Sequence, residues 1–304
     1  MKVLIIGGTG HVGGFLVPQL VDAGYEVVVS GSGRTAMPED GIWSKVKYVA
    51  CETGVGKDIT ALLDIEPHVV IEMCGHAWST YVQMKGRVEH FIACGSLWMF
   101  GEPKEVPTNE KTQNPCPFES YAQRYQDIHK MIEQSPADGT AFTAIMPPNI
   151  CGPGKIPLEC MGGRSVEVHR SHAAGEEVVL PDGPDVLLGP CDAEDIANCF
   201  KLAVLNRAQA SGQIFNVGSS PALTATQLVN IYAEIYNIEI PIRRVSWSEY
   251  IEKFNSDMGG WWHFKAHMCP NISKAKELLG YQPKYSPAQS LGRAVDWMRQ
   301  QKII

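Results

Sequence analysis

Short apolar runs alternate with amphipathic stretches through the first half of the chain. The runs are rich in β-branched residues, as are strands that are buried on both faces of a sheet. They cover residues 2–6, 25–30, 46–50, 68–73, 88–94 and 140–146. The periodicity of residues 11–23, 57–65 and 120–134 predicts helices between them. Because strands that alternate with helices form parallel sheets covered on both faces, the pattern predicts an α/β fold with a doubly wound parallel sheet.

The alternation stops after Met146, where the sequence PPNICGPGKIP marks a break. Beyond the break we predict, in order, a loop-rich excursion, a helix, a strand and two helices, at 151–190, 192–205, 213–217, 271–279 and 287–299. We therefore predict a sheet domain over 1–150, to which the chain returns at about 191–220. Residues 151–190 and 221–304 would form a smaller C-terminal substrate-binding lobe over the carboxyl ends of the strands.

The first strand runs directly into a glycine-rich turn, Gly7-x-x-Gly10-x-x-Gly13. The first glycine permits a tight turn, the second lets the backbone approach phosphate oxygens, and the third lets the next helix pack on the strand. A dinucleotide's pyrophosphate would meet the free N–H groups at the start of that helix. With a strand before it and a helix after it, the turn predicts a Rossmann-like cofactor site. The candidate contacts, with one glycine after the fourth strand, are Gly7, Thr9, Gly10, His11, Val12, Gly13 and Gly75.

The end of the second strand carries no carboxylate. An NAD-selective site places Asp or Glu there, about 20 residues past the glycines, to accept the ribose hydroxyls. Residues 27–33 read VVVSGSG instead, and Ser30, Ser32 and Arg34 form a small, polar, cationic loop that suits a 2′-phosphate. We therefore expect NADP as the cofactor, with NAD as the alternative if Arg34 is only a solvated loop residue.

Composition argues against several other classes of function. Asp and Glu outnumber Lys and Arg by 33 to 26 and the net charge is −7, so nucleic acid is not an expected partner. No apolar run approaches the ~20 residues of a membrane span, and the first strand leaves no room for a signal peptide. Nine cysteines are scattered without CxxC pairs, as free thiols are in a reducing compartment. We expect a cytoplasmic protein with a small-molecule substrate.

Seven segments carry a family pattern. Four are GGTGHVGG at 7–14, CGSLWMFG at 94–101, ESYAQRYQ at 119–126 and PPNICGPG at 147–154. Three later ones are CDAEDIA at 191–197, GQIFNVGSS at 212–220 and SKAKELLGYQP at 273–283. Together they resemble the extended short-chain dehydrogenase/reductase family, in its NAD-dependent epimerase/dehydratase group, and the chain would be an atypical member. The resemblance places Ser96 at the catalytic Ser/Thr position, Tyr121 at the catalytic tyrosine and Asn149 at a substrate-contacting asparagine.

The catalytic pattern departs from the family at one position. A free phenol has a pKa near 10, which the family lowers with a lysine four residues after the tyrosine. Here that position is Tyr125. Arg124, three residues after Tyr121, shares its helix face and carries a permanent charge. We therefore predict Ser96, Tyr121 and Arg124 as the catalytic residues, the alternative being a solvated arginine beside a core tyrosine.

Further departures concern the substrate. Leu97 and Trp98 stand where the family's dehydratases carry an Asp–Glu pair, so dehydration of a sugar nucleotide is not expected. Met146 and Leu188 stand where the family's arginines hold a nucleotide diphosphate, which favours a smaller or uncharged carbohydrate-like ligand. The candidate substrate contacts, an amide and three indoles suited to stack on a sugar, are Asn149, Trp98, Trp261 and Trp262.

Several histidines remain to be placed. On a helix His263 and His267 would share a face, with Cys269 following, but a third ligand is not evident and we predict no metal site. His169 and His172 of the excursion, which are neighbours of Arg164 and Arg170 in the sequence, either ring the mouth of the cleft or lie on the surface.

The connection between the fourth and fifth strands is short. Only 21 positions separate Gly75 from Ser96. The family usually places there a long helix that forms half of its dimer's four-helix bundle, so residues 78–87 imply a homodimer of non-standard geometry. The same shortening is similar to an atypical branch that contains chloroplast stem-loop RNA-binding proteins.

Two functions follow from the resemblance and its departures. The first is an NAD(P)-dependent epimerase or ketoreductase, an oxidoreductase that acts on a hydroxyl or ketone of a carbohydrate-like small molecule. The alternative is a catalytically degraded cofactor-binding protein with a regulatory or RNA-associated role.

Overall fold

The structure, a computed structural model, describes residues 1–111 and 114–304. The strands are β1 (Lys2–Ile6), β2 (Glu26–Gly31), β3 (Lys47–Ala50), β4 (Val69–Glu72), β5 (His90–Cys94), β6 (Ala141–Met146), β7 (Asn149–Cys151), β8 (Val178–Pro181), β9 (Leu187–Leu188), β10 (Pro190–Asp192), β11 (Gln213–Asn216), β12 (Leu223–Thr224) and β13 (Ile242–Val245). One sheet has seven parallel strands in the order β11–β6–β5–β4–β1–β2–β3. The predicted α/β fold with a doubly wound parallel sheet is confirmed.

The helices cover both faces of the sheet and build the lobe. They are α1 (Gly13–Asp22), α2 (Thr60–Leu63), α3 (Ala77–Met84), α4 (Glu119–Asp138), α5 (Val166–Ala173), α6 (Ala193–Leu205), α7 (Arg207–Ala210), α8 (Ala225–Tyr236), α9 (Trp247–Glu249), α10 (Met258–Trp261), α11 (Ser273–Leu279) and α12 (Pro287–Gln300). The helix predicted over 57–65 is only one turn, and just before it the Asp58 carboxylate accepts the N–H of Thr60 at 2.9 Å.

Alternate residues of β1 supply the two halves of the main core. Val3 and Ile5 are buried on the face that α1 and α6 cover, and Leu4 and Ile6 are buried on the face that α3 and α4 cover. This alternation follows from the two-residue repeat of a strand. Burial on both faces is the reason that the central strands read as continuous apolar runs.

A third cluster of buried apolar side chains lies within the segments predicted as the lobe. Strands β8 and β13 pair there in parallel, and α8 and α12 pack beside them. The buried hydroxyls of Tyr232 and Tyr250 donate to the main-chain oxygens of Leu158 (2.6 Å) and Met161 (3.0 Å). The domain boundaries at 1–150, 151–190, 191–220 and 221–304 remain a prediction.

The histidines of the excursion lie inside this lobe. His169 and His172, expected at the cleft mouth or on the surface, are both buried against Tyr232. They lie on α5, whose buried side faces α8, so neither expected position is right. Nε2 of His172 accepts the N–H of Cys160 at 3.3 Å, and burial lowers the pKa of this imidazole to about 4. The pair is therefore part of the lobe's core.

One arginine of the last helix joins the lobe to the sheet. Arg293 of α12 donates to Asp192 at 3.0 Å, to Glu194 at 2.8 Å and to the hydroxyl of Tyr285 at 2.7 Å. Asp192 ends β10, caps α6 through the N–H of Glu194, and has a fully buried side chain. We call these four residues the Arg293 clamp.

Two further features bear on the predictions. The connection that contains residues 78–87 forms an α3 of eight residues, and so is as short as expected. Among the described residues, no helix has both the length and the apolar character needed to cross a membrane.

Candidate active site

The glycine turn joins β1 to α1 at the carboxyl edge of the sheet. Gly7 has φ +84° and donates its N–H to the main-chain oxygen of Ser30 at 2.7 Å. A Cβ at Gly13 would lie 2.3 Å from the carbonyl oxygen of Gly8, so only glycine fits there. Within the described residues no side chain caps the start of α1. The N–H groups of Gly14 and Phe15 donate to the main-chain oxygens of Gly10 (2.8 Å) and Val12 (3.1 Å), whereas those of Val12 and Gly13 have no partner among the described residues and are left for a ligand. A cradle of this kind fits a dinucleotide's pyrophosphate.

The other predicted residues of the turn lie beside it. Val12 is buried at the start of α1, and the hydroxyl of Thr9 lies next to Gly31 at the end of β2. Nε2 of His11 donates to the main-chain oxygen of Pro153 at 2.8 Å. Burial lowers the pKa of His11 to about 4, so the imidazole is neutral near pH 7. His11 thus ties the turn to the loop after β7.

A cavity of about 650 Å³ opens beside the turn, at the ends of β2, β3 and β4. Ser32 and Arg34 line it as predicted, whereas Ser30 is fully buried beneath it. Nη2 of Arg34 lies 3.6 Å from Oε1 of Glu52, and Lys57 contacts the other oxygen at 2.6 Å. A carboxylate therefore does stand in this cavity, but it follows β3 rather than β2, which is why the sequence pattern missed it.

A second cavity, of about 740 Å³, opens at the carboxyl ends of β5 and β6. The structure brings together five predicted residues there, namely Ser96, Trp98, Tyr121, Arg124 and Asn149. We call it the catalytic cavity. Ser96 follows β5 and begins a 3₁₀ turn (Leu97–Phe100), where its hydroxyl accepts the N–H of Trp98 at 3.3 Å.

Arg124 lies between the tyrosine and the end of β4. Its Cζ is 5.4 Å from the ring centroid of Tyr121, and its Nη2 donates to the main-chain oxygen of Cys94 at 3.1 Å. A Cβ at Gly75 would lie 3.3 Å from Cζ, so this glycine makes room for the guanidinium. Tyr125, at the family's lysine position, is buried on the opposite side against Phe100. The cation of this helix is thus directed towards the cofactor edge of the sheet.

Asn149 is held by the protein on both sides of its amide. Oδ1 accepts the N–H of Gly189 at 3.4 Å, which leaves Nδ2 to donate to Nδ1 of His263 at 3.0 Å. The proton of His263 is therefore on Nε2. Burial, and then the charge of Arg164, lower the pKa of His263 to about 3, so the ring is neutral near pH 7. Asn149, predicted to contact substrate, fixes this imidazole in the cavity wall.

The three tryptophans predicted to contact substrate divide into two groups. Trp98 lines the catalytic cavity, with ring centroids 5.0 Å from Phe118 and 4.9 Å from His263. Trp262 is buried edge-on to Phe118, and Trp261 packs against other aromatic rings of the lobe. Neither Trp261 nor Trp262 is among the described residues that line the cavity.

His263 and His267 do not share a helix face. His263 lies in a 3₁₀ turn (Trp262–Phe264), and His267 lies beyond it, with Nδ1 accepting the N–H of Leu187 at 2.9 Å. The helix before them ends after one turn at Trp261, so the four-residue spacing places the rings on different partners. No group of three metal-ligating side chains occurs within residues 1–111 and 114–304.

Two cations of the catalytic cavity were not assigned from the sequence to the site. Lys155 and Arg164 lie in the excursion after β7 and line the same cavity as Tyr121 and Ser96. Arg164 donates to the main-chain oxygens of Ile150 (2.8 Å) and Ile156 (2.6 Å). The only signal was their place beside a Pro/Gly break, which does not show where a loop folds.

Comparison with known proteins agrees with this geometry. Residues 76–218 match the model of the NAD dependent epimerase/dehydratase family. The chain is similar to the UDP-glucose 4-epimerase of Corynebacterium glutamicum, at 22% identity over 96% of this chain and 93% of that protein. It is also similar to the dTDP-6-deoxy-L-talose 4-dehydrogenase (NAD(P)(+)) of Kitasatospora kifunensis, at 25% identity over 80% of this chain and 82% of that protein.

A solved structure shows the same fold. The UDP-glucose-4-epimerase of Stenotrophomonas maltophila, with bound NAD and formylated UDP-arabinopyranose, superposes with a TM-score of 0.77. It is 16% identical, and the match covers 99% of each chain. The family model and the near full-length relatives support the predicted resemblance to the extended short-chain dehydrogenase/reductase family, in its NAD-dependent epimerase/dehydratase group.

Proposed function

We propose that this protein is an NAD(P)-dependent epimerase or ketoreductase that acts on a hydroxyl or ketone of a carbohydrate-like small molecule. The observation that carries the proposal is the position of Arg124, whose guanidinium lies over Tyr121 and against Gly75. This permanent cation would take the place of the family's lysine beside the tyrosine. The departure at Tyr125 therefore does not remove the cation that the chemistry needs.

The residues divide the work of the reaction. The glycine turn and the start of α1 would hold the pyrophosphate of the cofactor, and Gly75 would face its nicotinamide half. A bound nicotinamide supplies two-electron redox chemistry. The Ser96 hydroxyl donates to the reacting oxygen of the substrate. Tyr121 would take the proton of a substrate alcohol as the phenolate during oxidation, and as the phenol would return it to the oxygen during reduction.

NADP is the proposed cofactor, with NAD as the alternative. Ser32 and Arg34 line the cavity beside β2 and suit a 2′-phosphate. Glu52 offsets part of this charge, but Lys57 shares the same carboxylate, so the three groups keep one net positive charge. The Arg34 side chain is 83% exposed and is free to turn towards a phosphate.

Binding and turnover test the proposal separately. Tryptophan fluorescence is titrated with NADH and NADPH at equal concentrations, and NADPH oxidation is then followed with a panel of keto-sugars. We expect tighter binding of NADPH and oxidation with at least one member of the panel. Equal quenching by the two nucleotides would remove the preference for NADP. Absence of binding by either nucleotide would contradict the function itself.

The alternative of a regulatory or RNA-associated protein without catalysis gains no support from the relatives described above, which are named as enzymes. A cytoplasmic location fits the nine free cysteines. A homodimer of non-standard geometry fits the eight-residue α3. Both stay part of the proposal.

A further inference from the structure

We propose that the catalytic cavity takes a substrate that carries an oxyanion, a carboxylate or a phosphate, bound by Arg164, Lys155 and the Nε2–H of His263. The proposal rests on the function proposed for this cavity and names its substrate class more narrowly. It departs from the uncharged ligand that the loss of arginines at Met146 and Leu188 favours.

The charge of the cavity is the first support. Among the described residues that line it, three are cations, namely Arg124, Lys155 and Arg164, and none is a carboxylate. The whole chain has the opposite balance, with 33 acidic against 26 basic residues. A wall with three cations and no carboxylate in an acidic protein concentrates anions at one place.

Arg164 makes no ion pair within 4 Å among the described residues, although the charge of Glu159 acts on it from further away. Its guanidinium donates to two main-chain oxygens, and burial lowers its pKa without removing the charge. Glu159, a neighbouring carboxylate, spends its two oxygens on the N–H groups of Met161 and Gly163. A half-buried cation whose carboxylate neighbour is occupied in this way is costly, and a bound anion would offset that cost.

Lys155 is the more available of the two cations. Within the described part of the chain its ammonium makes neither a hydrogen bond nor an ion pair. Burial, and then the charge of Arg164, lower its pKa. An anion between the two side chains would reverse both effects, since it would replace lost water and screen the repulsion.

His263 adds a neutral donor to these two cations. Its Nδ1 is occupied by Asn149, so Nε2–H is the donor that remains, and it has no hydrogen-bond partner in the described residues. The ring is held against Trp98 at 4.9 Å, which fixes the direction of the donor. The three groups come from separate segments and leave the Ser96 and Tyr121 hydroxyls for the reacting oxygen.

The cofactor's pyrophosphate is the competing occupant. Lys155 and Arg164 both act electrostatically on His11, which lies in the glycine turn. If the two cations serve the cofactor, their loss weakens nucleotide binding and leaves the choice of substrate unchanged. An experiment therefore has to measure the two affinities side by side.

Calorimetry on the full chain makes that measurement. D-glucuronate, D-glucose 6-phosphate and uncharged D-glucose are titrated into the protein with and without saturating NADPH, and NADPH is titrated alone. We expect at least one anionic sugar to bind about tenfold or more tightly than glucose. The glucuronate and glucose 6-phosphate arms distinguish a carboxylate from a phosphate.

Variants of the three proposed anion-binding residues locate the site. Lys155→Gln, Arg164→Lys and His263→Gln should each lower the affinity for the anionic sugar, by about tenfold for Lys155→Gln, and leave NADPH affinity within twofold. Lys265→Gln, which removes an exposed cation two residues from His263, serves as the control and should change neither. Lys155 is an exposed residue, so the Lys155→Gln protein should fold even if the Arg164 and His263 variants do not.

Two outcomes would overturn the inference. One is equal affinity for glucose and both anionic sugars. The other is a loss of NADPH affinity in Lys155→Gln with anionic-sugar binding unchanged. Either result leaves the proposed function standing as long as NADPH binds and a keto-sugar is reduced. Conversely, anion binding that needs Lys155 in a protein that does not bind NADPH would remove the proposed function alone.

Discussion

The glycine turn and the catalytic cavity lie at the same edge of one sheet but are built differently. At the turn, main-chain atoms form the site. Glycines are required because a side chain would not fit, and Gly13 has no room even for a Cβ. In the cavity, side chains form the site, and they come from positions as far apart as Ser96 and His263. The turn is thus fixed by sequence over a few residues, and the cavity by the whole fold.

The difference explains why the chain keeps one region close to its family and departs in the other. A backbone cradle allows few substitutions, since a side chain at Gly13 would meet a carbonyl oxygen. A cation near Tyr121 can be supplied from more than one position on a helix, because residues three and four apart share a face. The cation here is Arg124, three residues after Tyr121, instead of a lysine four residues after it.

The largest expected effect breaks the cavity alone. Tyr121→Phe removes the hydroxyl that moves the proton and should lower turnover by about 10²- to 10⁴-fold, with NADPH affinity unchanged. Steady-state rates on any keto-sugar that the panel identifies would measure it. Tyr125→Phe, at a buried tyrosine outside the cavity, is the matched control and should stay within a few-fold of the parent. Unchanged turnover in Tyr121→Phe would remove the catalytic assignment.

Breaking the turn alone needs a single methyl group. Gly13→Ala should destabilise the protein by about 1–3 kcal/mol and weaken NADPH binding at least tenfold, because its Cβ meets the Gly8 backbone. The neighbouring Gly14→Ala meets no atom within 4 Å and should stabilise by about 0.5–1 kcal/mol. Urea unfolding and fluorescence titration report the two quantities. Equal behaviour of the two variants would contradict the cradle.

A pH experiment tests the stability of the sheet without involving the catalytic cavity, because His90 lies at the opposite end of β5 from that cavity. Burial lowers the pKa of His90, at the start of β5, to about 3, against about 6.5 in an unfolded chain. Between these values only the unfolded state binds the proton, so the contribution of His90 is complete above pH 6.5 and is lost as the pH falls towards 3.

Relative to His90→Gln, which keeps a donor for Thr143, the parent should therefore lose about 2 kcal/mol more stability between pH 7 and pH 5. Buried carboxyls whose pKa is raised, such as Glu72, act in the opposite direction but equally in both proteins. Urea unfolding at the two pH values gives the difference. Parallel losses in parent and variant would show that His90 is protonated in the folded state.

The smallest expected effect concerns the preference of the cofactor site for NADPH over NADH. Arg34→Ser should weaken NADPH binding by about tenfold and leave NADH binding unchanged, because it removes a charge that would pair with the 2′-phosphate. Arg34→Lys keeps the charge and should retain most of the preference. The ratio of the two dissociation constants is the readout. A ratio that Arg34→Ser does not alter would favour NAD.

The sequence predicted the parts of the site that depend on residues close together in the chain. The six N-terminal strands, the turn and the facing of Tyr121 and Arg124 all follow from periods of two to four residues. The grouping of Lys155, Arg164 and His263 could not be predicted, because loops after β7 and a 3₁₀ turn bring them together. The same irregular backbone keeps His263 and His267 from sharing a helix face.

The Arg293 clamp has a consequence for motion. Its carboxylate at Asp192 is fully buried, so separating the ion pair would leave a buried charge with only the N–H of Glu194 as a partner, at a cost of several kcal/mol. Any hinge between lobe and sheet must therefore pivot at the clamp rather than open there. The larger displacement would then occur at the far rim of the cleft, where the Trp98 and His263 rings pack against each other between sheet and lobe. In hydrogen exchange, amides around Asp192 should be the slowest of the interlobe region, and those of the rim the first to open.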